Sequence, residues 1–460
     1  MPPVHDTATD PQTPPLREKA GYAFGDFGLN LYWASISAFL LIFYTDVMML
    51  PAAAVGTLIL VTKIGDAVAD PLMGMLADRT RTRWGHFRPW LLWGALPMAA
   101  TGVLAFTVPP LAADMRLLWA YVTFSLMMLA YTVVSIPYSA LSGVITANGQ
   151  QRTVLVSLRF IAAFAGTTFV NYATLDLVAA FGQGDAATGW QRTLMLYGVI
   201  AMALFACVFL FVRERVTPSP AQRTPWRQDV ADLLHNRPWK VLFVLALVIM
   251  VTIVMRGGAG VYYFKYYLGR PDLTGWFLGS YSVALALGAA ATPLLTRWFD
   301  RRRLLMGLMV LVGVLSGSMY LVPADGVVAA FVLNILVGFA LGPKSPLAFA
   351  MYADTADYTE WRTGRRATAL TFAAATFSQK LGGAIASAAI AWVLAGMGYV
   401  ANQAQSQASQ HGIVLLMTVI PGIVALLAAW TMRFYPLDDA RLAEIQQALA
   451  ARRAAADSTP

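Results

Sequence analysis

About twelve stretches of roughly 20 apolar residues punctuate this chain, and no other property narrows its possible folds so far. Each is long enough to cross the hydrocarbon core of a bilayer as a single helix, in which every backbone N–H and C=O finds its partner within the segment. Only 12% of the 460 residues are charged and 58% are hydrophobic, whereas a soluble domain carries about twice that charged share. The segments fall into two sets of six, separated by a polar stretch from Arg213 to Lys240. The expectation is an all-α membrane protein of two six-helix bundles, residues 21–213 and 239–434, joined by a cytoplasmic linker at 214–238. Residues 1–20 are rich in Pro, Thr and Asp without an apolar core, so they read as a disordered cytoplasmic tail and not a cleavable signal. In the tail at 435–460, Leu442, Ile445 and Leu449 stand at helical spacing and predict an amphipathic helix lying on the cytoplasmic face.

The net charge of +9 would suit a nucleic-acid binder if the basic residues shared one face, but they do not. With the N-terminus inside, Lys and Arg crowd the loops on that side, and the opposite loops hold chiefly Arg116, Arg192 and Arg270. That asymmetry follows the positive-inside rule, puts both termini in the cytoplasm of a bacterial inner membrane, and leaves no role for nucleic acid. The single cysteine, Cys207, allows no intramolecular disulfide. His5, His86, His235 and His411 fall in tails or at loop edges, and no nucleophile or metal-ligand spacing occurs. Neither an enzyme nor a cofactor is expected, and no metal beyond a sodium ion.

Charged groups inside the spans carry the functional information, because each costs about 2.5–3.5 kcal/mol to insert. The second span holds Lys63, Asp66 and Asp70 at i, i+3 and i+7, on one face of one helix. Pro71 removes the amide that would bond the Ala67 carbonyl, leaving an oxygen between two carboxylates. Two readings stand: a cation site made by Asp66, Asp70 and the Ala67 carbonyl, or a structural ion pair of Lys63 with one of the acids. Two carboxylates one turn apart repel when both are ionised, which favours capture of a proton or a sodium ion. The first span opens with Gly25, Asp26, Gly28 and Asn30, followed by Tyr32 and Trp33; Asp26 lies either near the headgroups or along a pore. Span four ends in Tyr131, Thr132, Ser135, Pro137 and Tyr138. Arg159 lies in span five, and Arg256 sits too deep in span seven to reach the interface; of the tyrosines from Tyr262 to Tyr267, those nearest Gly269 read as an interfacial belt. Asn334 and Lys344 interrupt span ten beside Pro343 and Pro346. Lys380, in span eleven, needs an acidic partner or an anionic ligand.

An internal repeat supports two related halves. Asp78-Arg79-Thr80-Arg81 is echoed by Asp300-Arg301-Arg302-Arg303, Pro137 by Pro346, and Arg152 by Arg365-Arg366, about 210–220 residues apart. The loop residues Asp78, Arg79, Arg83, Asp354, Asp357 and Arg366 read either as a gate that closes the cytoplasmic side or as a solvated charge cluster.

Six motifs carry a resemblance: Tyr44-Thr45-Asp46-Val47, Asp66-Ala67-Val68-Ala69-Asp70-Pro71, Thr82-Arg83-Trp84-Gly85-His86-Phe87-Arg88-Pro89-Trp90, Ile136-Pro137-Tyr138, Ala353-Asp354-Thr355-Ala356-Asp357-Tyr358 and Gln379-Lys380-Leu381-Gly382. Over roughly Leu16 to Ile445 the chain resembles the glycoside–pentoside–hexuronide:cation symporters, the branch of the major facilitator superfamily that includes the melibiose permease. The resemblance implies the major facilitator fold, usually monomeric, with Asp66 and Asp70 as cation ligands and Thr132 as a neutral cation-site oxygen. It also implies Lys380 beside the cation site and Arg159 near the sugar. Asn30 and Ser135 stand where the melibiose permease has sugar-binding carboxylates. Ala69 stands where the sodium-using member has an asparagine, which favours a proton. Sugar recognition combines aromatic platforms with hydrogen-bonding groups, so the substrate candidates are Asn30, Trp33, Tyr131, Ser135, Tyr138, Arg159, Arg256 and Lys380. A uronide or other anion would dock on Arg159, Arg256 and Lys380. The expected activity is cation-coupled import of a glycoside, pentoside or hexuronide by alternating access; the competing reading is a carrier of lipid-like or drug-like solutes on the same fold.

Overall fold

A computed structural model describes residues 13–146, 148–215, 234–363 and 368–457. The N-terminal half comprises α1 (Leu16–Ile42), α2 (Ala52–Arg79), α3 (Arg88–Ala105), α4 (Ala113–Ile145), α5 (Gly149–Gly182) and α6 (Ala186–Phe211). The C-terminal half comprises α7 (Arg237–Tyr262), α8 (Thr274–Leu295), α9 (Arg301–Ser318), α10 (Val327–Leu341), α11 (Lys344–Thr363), α12 (Thr368–Gly396), α13 (Gln407–Met417), α14 (Val419–Thr431) and α15 (Asp439–Asp457). Among the described residues, 11 helical segments are long and apolar enough to cross a membrane, with α10–α11 counted as one and α13–α14 as another. α3, whose 18 residues open with Arg88-Pro89-Trp90, falls outside that set.

Packing divides the chain differently from its sequence halves. Residues 1–36 and 68–221 form one unit, and residues 37–67 and 222–460 form the other. The hairpin at 37–67 leaves the N-terminal set because its contacts lie on C-terminal helices: a Cβ added to Gly56 would come within 2.8 Å of the Ala391 side chain. In the first unit α3 packs on α4 and α6, and α5 on α6. In the second, α12 and α14 flank α7, α10 lies along α8, and α9 along α14.

The ends of these helices correct several expectations. Residues 1–12 lie outside the described residues, but α1 starts at Leu16, inside the expected tail, because Glu18 is buried and bonds the Arg215 guanidinium at 2.7 Å and the Arg213 amide at 2.8 Å. Most of the expected linker, 216–233, is outside the described residues; within it, Glu214 accepts the amides of His86, Phe87 and Arg88 at 2.7–2.9 Å. A carboxylate at the positive end of α3 fixes the basic loop Thr82–Trp90 to the end of α6. The amphipathic tail helix is present as α15, but Leu442, Ile445 and Leu449 are buried, and α15 packs on α11. Its apolar stripe is covered by protein and not by lipid.

Two π-helical turns repeat at an offset of 220 residues. Phe43–Val47 follows α1, and Tyr263–Tyr267 follows α7. Met48 N–H bonds the Phe43 carbonyl at 2.9 Å and Leu268 N–H bonds Tyr263 at 3.0 Å. Each turn ends in a left-handed residue, Met49 at φ 59° and Gly269 at φ 65°.

Candidate functional site

In the first unit Asp26 lies on α1 one turn before Asn30. Its carboxylate meets the Arg159 guanidinium at 2.6 Å, so Arg159 carries a compensated charge. Tyr138 frames the pair. It is fully buried, stacks on Tyr22 with ring centroids 4.9 Å apart, donates to the Tyr22 carbonyl at 2.7 Å and accepts from the Asp26 amide at 3.1 Å. The Arg159 guanidinium lies 4.7 Å from its ring centroid. A Cβ on Gly25 would fall 2.2 Å from the same ring, so only glycine lets α1 approach so closely. Tyr138 therefore positions Arg159 and offers no open face to a sugar. Asn30 donates to the Asp26 carbonyl at 2.8 Å and accepts from Thr167 at 3.1 Å, which pins its amide. Trp33 and Tyr131 are partly exposed, with ring centroids 6.1 Å apart, and Ser135 lies one turn beyond Tyr131 on α4. On α2, Asp70 accepts from the Thr132 hydroxyl at 3.2 Å.

In the second unit Lys380 meets Asp66 at 2.9 Å, with the Asp66 side chain 1% exposed and that of Lys380 13%. Lys63 is buried alongside, within electrostatic reach of both. The repulsion expected between Asp66 and Asp70 is thus offset, because an ammonium already balances Asp66. Ala67 occupies the turn between the two acids, four residues before Pro71 within α2.

Arg256 is not a docking point for solute. Its side chain is wholly enclosed, donating to Asn334 at 2.8 Å, Ser316 at 3.1 Å and the Met417 carbonyl at 3.3 Å. Neutral acceptors surround the charge, and the group ties α7 to α9, α10 and α13.

The loop set also divides. Asp354 pairs with Arg301 at 2.9 Å within the second unit, so its partner is the basic loop of its own half. Asp78, Arg79 and Arg83 are exposed, with Arg83 resting 4.8 Å from the Trp84 ring centroid. Asp357 is partly buried on α11, and Arg366 lies outside the described residues.

A cluster around Asp46 was missed. The carboxylate accepts from Lys265 at 2.6 Å, from Thr45 at 2.7 Å and from the hydroxyls of Tyr266 and Tyr399. Tyr262 joins through Thr45 at 2.9 Å, and Asn402 donates to the Asp46 carbonyl at 2.6 Å. Tyr262 and Tyr263, the tyrosines of the run farther from Gly269, are buried. The available signal was Lys265 within four tyrosines and an acid, Asp46, at the end of an apolar span.

Comparison with known proteins agrees with this architecture. A family model described as MFS/sugar transport protein matches residues 21–439. The inner membrane symporter YicJ of Escherichia coli is 37% identical over 95% of each chain. The isoprimeverose transporter of Lactiplantibacillus pentosus is 35% identical, covering 96% of this chain and 94% of its own. The glucuronide carrier protein homolog of Escherichia coli is 31% identical, covering 93% and 94%. The inward open xylose transporter XylE superposes with a TM-score of 0.67 at 14% identity, covering 93% of this chain and 98% of XylE, which places the fold among the major facilitators. With buried charge inside membrane-length helices and full-length relatives that are symporters and sugar carriers, the chain belongs to the MFS/sugar transport protein family.

Proposed function

We propose that this protein is a cation-coupled sugar symporter of the cytoplasmic membrane, with both termini in the cytoplasm. The observation that carries the reading is the Asp66–Lys380 pair inside membrane-spanning helices, one turn from the Asp70–Thr132 hydrogen bond. An acid so enclosed cannot stay ionised alone, and it exchanges one positive partner for another. A proton or sodium ion arriving at Asp66 and Asp70 competes with the Lys380 ammonium. Thr132 and the Ala67 carbonyl supply neutral oxygens, and the released lysine reports occupancy to α12. Entry of one charge down a 100 mV potential supplies about 2.3 kcal/mol toward sugar accumulation.

Trp33 and Tyr131 are the aromatic platforms for the pyranose, and Asn30 and Ser135 are its hydrogen-bonding neighbours. The names of the relatives, which include an isoprimeverose transporter and a glucuronide carrier homolog, support a saccharide substrate. Asp78, Arg79, Arg83, Asp354 and Asp357 supply the charges that rearrange at the cytoplasmic side during alternating access. The deciding experiment is uptake into proteoliposomes under an imposed proton or sodium gradient, screened against glycosides, pentosides and uronides. Gradient-stimulated accumulation of one class is expected; uptake of every class unaffected by both gradients would overturn the reading.

A further inference from the structure

Apolar side chains exposed on a membrane-spanning helix face acyl chains, and a basic residue at the end of such a face meets the headgroups. Two neighbouring helices of the second unit share that design. On α9, Arg303, Gly307, Val310 and Val314 follow one another at i, i+4, i+7 and i+11, and all four are exposed. On α14, Ile423, Leu427 and Trp430 keep the same spacing, are exposed, and lead to the exposed Arg433 and Phe434 in the turn that follows. The two helices are closely packed: a Cβ on Gly313 of α9 would fall 2.7 Å from the Leu426 side chain and 3.1 Å from the Gly422 carbonyl.

Their arginine ends are brought together by a third arginine. Arg302 donates to the Met432 carbonyl at 3.1 Å and to the Arg433 carbonyl at 2.9 Å, which ties the end of α14 to the start of α9. Arg302, Arg303 and Arg433 then line one open cavity of about 950 Å³ with Asp300, Asp438 and Met306. That volume is ample for a glycerophosphate headgroup. Among the described residues neither Arg303 nor Arg433 has an ion-pair partner. The two acids do not serve them, because each closes a helix end: Asp300 accepts the Arg303 amide at 3.1 Å, and Asp438 accepts the Arg441 amide at the start of α15 at 2.8 Å. Aromatic side chains mark the level. Trp298 and Phe299, just before Asp300, are exposed, and so are Trp430 and Phe434, which meet edge to face with ring centroids 4.9 Å apart. Such rings sit at the membrane–water interface, where phosphates lie. The positive-inside rule accounts for arginines at this end of the helices but not for their meeting in one cavity above two apolar stripes.

We propose that the arginine end of the α9–α14 pair binds an anionic phospholipid, with its phosphate at Arg303 and Arg433 and its acyl chains along the two stripes. The site is separate from the residues assigned to cation and sugar, and it does not rest on the symport reading.

The test uses purified full-length protein in a neutral detergent, stripped of lipid. Phosphatidylglycerol is expected to raise the melting temperature; phosphatidylcholine and phosphatidylethanolamine of the same acyl composition are not. Free glycerol phosphate, which carries the headgroup charge without the chains, should also have no effect. Arg303→Gln/Arg433→Gln should melt with the wild type in detergent alone and need about tenfold more phosphatidylglycerol for the same shift. Arg81→Gln, at an exposed arginine of the other unit, should leave the shift unchanged and so controls for general charge attraction. Native mass spectrometry should show the double variant retaining fewer phosphatidylglycerol molecules than the wild type, a readout that still decides if the variant is less stable. An equal shift by the zwitterionic lipids, a shift by glycerol phosphate alone, or an undiminished response of the double variant would overturn the assignment.

Discussion

Cutting the Asp66–Lys380 contact from either side should cost far more than removing both of its ends. The two groups are 2.9 Å apart and their side chains are 1% and 13% exposed, so neither finds adequate water when its partner is lost. Removing one member of such a buried pair destabilises by about 3–5 kcal/mol, whereas replacing both by neutral groups of similar shape is close to neutral. The cost should be unequal. Asp66→Asn leaves an ammonium beside Lys63, a like charge, and falls at the upper end of that range; Lys380→Met leaves the carboxylate with Lys63 and falls at the lower end. The double variant Asp66→Asn/Lys380→Met should recover at least about 2 kcal/mol of the summed loss, the coupling expected of groups in direct contact. The measurement is a melting series on detergent-purified protein at one fixed scan rate, since large membrane proteins unfold irreversibly. Gradient-driven uptake is followed on the same samples. The double variant should be stable and yet unable to accumulate sugar, which separates the structural and coupling roles of Asp66. Strictly additive losses, or single variants that melt with the wild type, would refute the paired-charge reasoning.

Three further outcomes follow from the geometry. Thr132→Val removes the hydroxyl bonded to Asp70 and should cost about 1 kcal/mol in stability, while weakening the response of uptake to the coupling ion; unchanged ion dependence would remove Thr132 from the site. Asp46→Ala leaves Lys265 with Asn402 and deprives Tyr266 and Tyr399 of their acceptor, so a loss of about 1–3 kcal/mol is expected by thermal melting. Glu214→Ala frees the three amides at the start of α3 and should destabilise by about 1–2 kcal/mol, read as faster proteolysis of the Thr82–Trp90 loop.

The spans were legible because a bilayer imposes a length and a polarity that any helix crossing it must meet. The face of α2 was legible for the same reason, and Lys380 announced its need for an acidic partner or an anionic ligand, although not which. Pairings across the fold were beyond reach. Asp26 and Arg159 are 133 residues apart, Asp46 and Tyr399 are 353 apart, and no local spacing links them. Composition also misled in places. A tyrosine-rich run has the same signature whether it faces headgroups or encloses a carboxylate, and a deep arginine looks the same whether it awaits a ligand or ties four helices together. Only packing separates those cases.

The paired π turns have a geometric consequence. An additional residue in one turn advances everything after it by about 100° around the helix axis. Asp46 stands within the turn at Phe43–Val47, and its partners Lys265 and Tyr266 stand within the matching turn at Tyr263–Tyr267. The duplicated irregularity acts like a pair of matched offset gears: the two turns, 220 residues apart in the chain, bring an acid and its base into mesh.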